Sequence, residues 1–158
     1  MRRVLATTAL ALLLGIALAA CGGDDEQVPT LPPPSLEQWQ ARVNGYCSDG
    51  IQEAVALPPP QTTRQVPEDS QARAAILIDV HDAVLPLAQP PDQATQIDLW
   101  VGELEADAKL LNKIAVKAAS GLDYLTLAGQ VDESSGEAAN ELGLDQCASL
   151  ANAIARTP

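Results

Sequence analysis

The chain predicts an all-α fold: an antiparallel helical bundle of about four helices, held by one disulfide. Three observations carry this. Apolar side chains recur at spacings of three and four through most of residues 35–158, proline clusters close the periodic runs, and no turn dipeptide separates alternating apolar segments as a hairpin requires. Asn44-Gly45 lies inside a helical pattern rather than between strands.

The first helix begins at Ser35, which forms a capping box with Gln38. Leu36, Trp39, Val43, Cys47, Ile51 and Val55 follow on one face, and the helix should end near Leu57, before Pro58-Pro59-Pro60. Gly45 and Gly50 weaken it by roughly 1 kcal/mol each relative to alanine, but permit close approach by another helix. Residues 58–67 read as a loop. A second helix from about Glu68 presents Ile76, Leu77, Val80, Val84 and Leu87, and is terminated by Pro86 and Pro90-Pro91. The third helix, with Asp92 as its N-cap, places Ile97, Val101, Leu104, Ala108, Leu111, Ala115 and Ala118 along a packing seam and stops at Gly121. Beyond it the pattern shortens. Tyr124 to Gln130 can form a brief helix, Ser134 with Glu137 repeats the capping-box spacing, Gly143-Leu144 reads as a Schellman stop, and Cys147, Leu150 and Ile154 mark a last amphipathic helix.

Upstream of the bundle the sequence reads as an address. Arg2 and Arg3 precede an uncharged run from Val4 to Ala20, 17 residues long, shorter than the roughly 20 that a spanning helix needs. Small residues lead into Cys21, and no basic stop-transfer flank follows. Residues 1–20 are therefore expected to be a cleaved signal peptide. Residues 21–34 form a tether in which like charges, glycine and a proline triplet offer no apolar face to bury, with a reach of roughly 40 Å if extended. The alternative is an ordered arm, with Leu31 and the prolines packed on the domain.

Leu18-Ala19-Ala20-Cys21 resembles the lipobox of bacterial lipoproteins. That resemblance implies diacylglycerol and fatty acyl (palmitate-type) modification of Cys21, hence a protein held at the extracytoplasmic face of the cell membrane, because two or more chains anchor stably where one does not. The mature region is similar to small, alanine-rich actinobacterial envelope lipoproteins through its early helix cysteine, Leu87-Ala88-Gln89-Pro90-Pro91, and the closing run Glu141 to Cys147. The resemblance supports a bundle, a disulfide and an envelope location, and implies no catalytic residues.

Cys47 and Cys147 remain once Cys21 is assigned to lipid. An even pair in an exported domain reads as a disulfide, and neither sits in a Cys-x-x-Cys motif that would activate a thiol. The bridge matters because the core lacks phenylalanine and must be built mainly from Leu, Ile, Val and Ala.

Charge and motifs exclude several classes. The whole chain has a net charge of −12, and loss of Arg2 and Arg3 with the signal would leave 7 basic against 21 acidic residues, or −14. Such a surface repels nucleic acid, and no basic stripe with interleaved aromatics is present. His81 is the single histidine, so no histidine cluster can bind zinc. No Gly-x-Ser-x-Gly elbow, Ser-x-x-Lys pair or phosphate-binding glycine loop occurs. Asp79 with Asp82, or Glu103 with Asp107, lie at helical neighbour spacing without a calcium-loop pattern. Neither an enzyme nor a cofactor is expected.

Two faces merit attention. Ile78, His81, Asp82 and Leu85 share a face of the second helix opposite its main stripe. It is either an exposed interaction face, with a histidine beside a carboxylate as a pH-sensitive contact, or one side of a helix buried on both sides, and the second reading is preferred. Lys109, Lys113 and Lys117 line the outer face of the third helix, where Glu105 can pair with Lys109; they read first as a solvated face and second as a contact for an anionic partner. The function expected is a lipid-anchored envelope protein with a non-enzymatic binding or scaffolding role toward an unknown envelope protein. The alternative is a carrier of a small apolar ligand in a pocket of the bundle.

Overall fold

The computed structural model describes residues 32–123, 125–128 and 134–155. The expected signal peptide, Cys21 and nearly all of the tether lie outside the described residues, as do Tyr124, Gln130 and Arg156.

The described chain is all-α: α1 (Leu36–Ala56), α2 (Val66–Val84), α3 (Ala94–Ala119), α4 (Leu125–Ala128), α5 (Ser134–Glu141) and α6 (Asp145–Ala155), with a 3-10 turn at Pro91–Gln93 before α3. The expected antiparallel bundle of about four helices is corrected to six α-helices. Two left-handed glycines divide the C-terminal third. Gly121 (φ 70°) and Gly143 (φ 67°) each close a Schellman motif: Leu122 N–H donates to the Lys117 carbonyl and Leu144 N–H to that of Ala139, both at 2.9 Å.

The antiparallel expectation also fails for one helix pair. Asn44 Oδ1 accepts from Gln146 N–H, Cys47 is bonded to Cys147, and Gly50 faces Leu150, so α1 and α6 run side by side in the same direction. The reason is α4, only four residues long: it is a turn rather than a full leg, and α5 makes the return that lets α6 descend beside α1.

Local chemistry explains the helix ends. Ser35 Oγ accepts from Gln38 N–H at 3.2 Å while Gln38 Oε1 accepts from Ser35 N–H at 3.1 Å, the expected capping box. α2 starts two residues before Glu68, with Pro67 in its first turn, where a missing N–H costs nothing. Asp92 is not the N-cap of α3. It lies in the 3-10 turn, and no side chain caps that helix.

The core holds Trp39, Val43 and Cys47 of α1, Leu77, Val80 and Val84 of α2, the α3 seam, and Leu150 and Ile154 of α6. Trp39 and Trp100 meet edge to face with ring centroids 6.2 Å apart. Val55, expected on the α1 stripe, is 68% exposed; Gly50 and Ala54 are buried in its stead, because the stripe drifts around the helix as 3.6-residue turns accumulate. The cysteine pair is confirmed as a disulfide closing a separation of 100 residues.

Candidate functional site

Three arrangements of polar side chains stand out, and each follows from how neighbouring helices are set.

On the outer side of the α2–α3 pair, a groove of about 250 Å³ is lined by Ile78, His81, Asp82, Glu105, Lys109 and Asn112. His81 Nδ1 stands 2.8 Å from Asp82 Oδ1, and Lys109 Nζ 2.7 Å from Glu105 Oε1. The Lys109 ammonium, by hydrogen bond and by charge, holds the Glu105 carboxyl below its ordinary value; slight desolvation opposes this and the charge of His81 adds a smaller downward pull. The preferred reading, α2 buried on both sides with His81 at an edge, agrees with the half-buried His81 but fails for its apolar neighbours: Ile78 is 41% and Leu85 60% exposed. The hydrophobic periodicity of α2 hid this, since two apolar stripes on a helix look alike whether or not a neighbour covers the second. The structure brings Ile78, His81 and Asp82 into one groove and leaves Leu85 outside its lining. Among the described residues no serine, threonine or cysteine lines it, so His81 has no described hydroxyl or thiol there to activate.

The second arrangement is on α3. Lys109, Asn112, Lys113, Val116 and Lys117, with Leu127 of α4, line an open groove of about 640 Å³. The Gly121 turn folds α4 back beside the last turns of α3, and Leu127 packs partly against the core. Val116, Leu122 and Leu125 stay exposed nearby, at 65%, 59% and 66%. Asp123 is the adjacent carboxylate, and its Oδ1 accepts from Leu125 N–H at the start of α4. The lysines were legible as a stripe. The apolar floor was not, because it is completed by a four-residue helix with no periodicity of its own.

The third was missed. Arg73 and Asp69 on α2 are both buried and joined at 2.8 Å, Nε to Oδ2, while Arg73 Nη1 donates to the carbonyls of Ala153 and Ile154. A guanidinium thus caps the C-terminal end of α6, where the helix dipole favours a cation. The spacing of four between Asp69 and Arg73 was the available signal. Asp69 also borders a cavity of about 310 Å³ walled by Leu57, Pro58, Pro59 and Pro60.

Among the described residues no three His, Cys, Asp or Glu side chains converge as a metal site, and no helix is long and apolar enough to cross a membrane. No protein-family model, curated protein or solved structure matches the chain.

Proposed function

We propose that this protein is a lipid-anchored domain of the cell envelope, held at the extracytoplasmic face of the membrane through Cys21, and that it works by binding rather than by catalysis. The N-terminal reading supports the anchor: a basic start, a short apolar run and a lipobox-like Leu18-Ala19-Ala20-Cys21. The observation that carries the binding role is the α3 surface, where exposed apolar side chains and lysines adjoin an otherwise acidic protein. An apolar patch rimmed by charge marks an interaction surface. Large side chains such as Trp100, Leu77 and Leu111 fill the space between the helices, which favours a surface site over a carrier pocket inside the bundle.

Intact-mass measurement of protein extracted from its native membrane tests the anchor. The expected result is a chain beginning at an acylated Cys21, and Cys21→Ala should abolish acylation and leave the chain released or uncleaved. An unmodified Cys21 in a retained, full-length chain refutes the assignment. Affinity capture from solubilised envelope, followed by mass spectrometry of proteins and lipids, tests the binding role.

A further inference from the structure

We infer that the groove between α3 and α4 binds a single-chain anionic amphiphile, its headgroup between Lys113 and Lys117 and its alkyl chain along Val116 and Leu127. This rests on reading the domain as a binding module, and it supplies the ligand class which that reading leaves open.

The chain has a net charge of −12 and three lysines, and all three line this groove. Lys109 is partly neutralised by Glu105, whereas Lys113 and Lys117 have no ion-pair partner among the described residues. Two cations with no ion-pair partner among the described residues, set in a strongly acidic protein, make this groove a more favourable place for an anion than the rest of the described surface. Successive lysines four residues apart rise about 6 Å along the helix, a separation that lets both ammonium groups flank one carboxylate or phosphate.

The floor of the groove is apolar, made by Val116 and Leu127. A site for a bare anion has no use for exposed Val116 and the partly buried Leu127 beneath its cations. A site for a purely apolar molecule has no use for lysines at its rim. Lysine stems lie along apolar surface while their heads remain in water, so the groove offers an alkyl chain the lysine stems and Val116 of α3 along one side and Leu127 of α4 on the other. Its volume, about 640 Å³, falls within the range of small-molecule sites, roughly 300–1,000 Å³.

Position argues for a single molecule rather than a bilayer. Trp39 in the first turn of α1 packs on Trp100 in the second turn of α3, so both helices start at the same end. Lys113 lies 13 residues beyond Trp100, about 20 Å down the axis. The groove is therefore toward the end away from the point where the chain enters α1.

The test uses the full chain in nanodiscs of zwitterionic lipid, with a diazirine-bearing palmitate as probe and peptide mapping as readout. Labelling should concentrate on the α3–α4 peptides and be competed by palmitate and hexadecyl phosphate, but not by hexadecanol or hexadecyltrimethylammonium. Lys113→Glu with Lys117→Glu should reduce it about tenfold, as expected for removing paired charge contacts to an anion, and Val116→Asp should do the same. All three positions are exposed, and circular dichroism should confirm that the variants keep their helices. Arg42→Glu with Arg64→Glu, the same change in net charge elsewhere, should leave labelling within twofold of the parent. Labelling spread over the chain, equal competition by the cationic or neutral amphiphile, or undiminished labelling in the lysine variant overturns the inference. So does protection of Lys113 and Lys117 only by anionic nanodiscs, which would make this a bilayer contact, or only on dimerisation, which would make it a self-interface. Groove labelling with an unmodified Cys21 would leave this inference standing while the anchor falls; an acylated Cys21 without labelling would do the reverse.

Discussion

Gly50 of α1 faces Leu150 of α6 so closely that a methyl fits there only if its neighbours give by a few tenths of an ångström. A Cβ at position 50 would stand 3.2 Å from Leu150 Cδ2, 3.2 Å from Ile76 Cγ2 and 3.3 Å from Val80 Cγ2. Two of those neighbours are β-branched and stiff at χ1, so they yield little. Gly45, five residues earlier on the same helix, is exposed with nothing within 4 Å of its would-be Cβ.

The two glycines should therefore respond to alanine with opposite signs. Gly45→Ala should stabilise by roughly 0.5–1 kcal/mol, the helix-interior penalty of glycine. Gly50→Ala gains the same propensity but overpacks a site where three helices meet, and a net loss of about 1 kcal/mol is expected from overpacking costs of about 1–3 kcal/mol. Urea unfolding followed by circular dichroism reads both. Stabilisation by Gly50→Ala would mean that α6 does not press on α1 as described.

The disulfide adds a long-range constraint to that contact. In the chain-entropy model a closed loop of about 100 residues stabilises by about 4.7 kcal/mol, and replacing Cys47 and Cys147 together with alanine should lower the unfolding free energy by up to that amount. Helicity should persist, because Gln40 Nε2 still donates to the Leu142 carbonyl at 2.6 Å and Asn44 still accepts from Gln146. An unchanged denaturation midpoint would show that the unfolded chain gains nothing from losing the bridge.

What the sequence made legible follows from what each signal physically encodes. Helix existence in α1, α2 and α3 was readable because apolar spacing reports which face is buried. Gly143-Leu144 was readable because a left-handed glycine followed by an apolar residue has a specific hydrogen-bonding use. The direction of α6 was not readable, since it depends on whether the segment after Gly121 makes a full leg or a turn, and α4 gives no periodicity to decide it. Leu85 and Ile78 show the same gap at the surface: apolar spacing says that a face could be covered, and only the placement of neighbouring helices says whether it is.

The buried pair of Asp69 and Arg73 gives the next prediction. Arg73→Met leaves the Asp69 carboxylate buried without its partner and removes the cap on α6, so a loss of about 3–5 kcal/mol is expected. Asp69→Asn in the same chain should recover a large part, since no buried charge then remains. Arg73→Lys should recover little, because a lysine cannot pair with Asp69 and also reach the carbonyls of Ala153 and Ile154 with a planar fork. Equal stability of Arg73→Met and the double variant in thermal unfolding would show that the carboxylate does not suffer from losing its partner.

The final prediction concerns Glu105, whose carboxyl is held below its ordinary value first by the hydrogen bond and charge of Lys109 and, to a smaller degree, by the charge of His81 across the groove. A depressed folded-state value means that the unfolded chain binds the proton more readily. The stabilisation is thus present above the ordinary glutamate value of about 4.3, and is lost as pH falls through the lower folded value. The side chains are 64% and 54% exposed, so solvent and salt screen the pair and its share of stability is small. Lys109→Ala should return Glu105 toward the ordinary range in a carbon-detected NMR titration and flatten the acid limb of the stability profile; His81→Gln should produce a smaller shift in the same direction. Titration of Glu105 at the same pH in the parent and in Lys109→Ala would show that the pair does not persist in solution, and Lys109 would then stand beside Lys113 and Lys117 as a third lysine of the α3 groove without an ion-pair partner among the described residues.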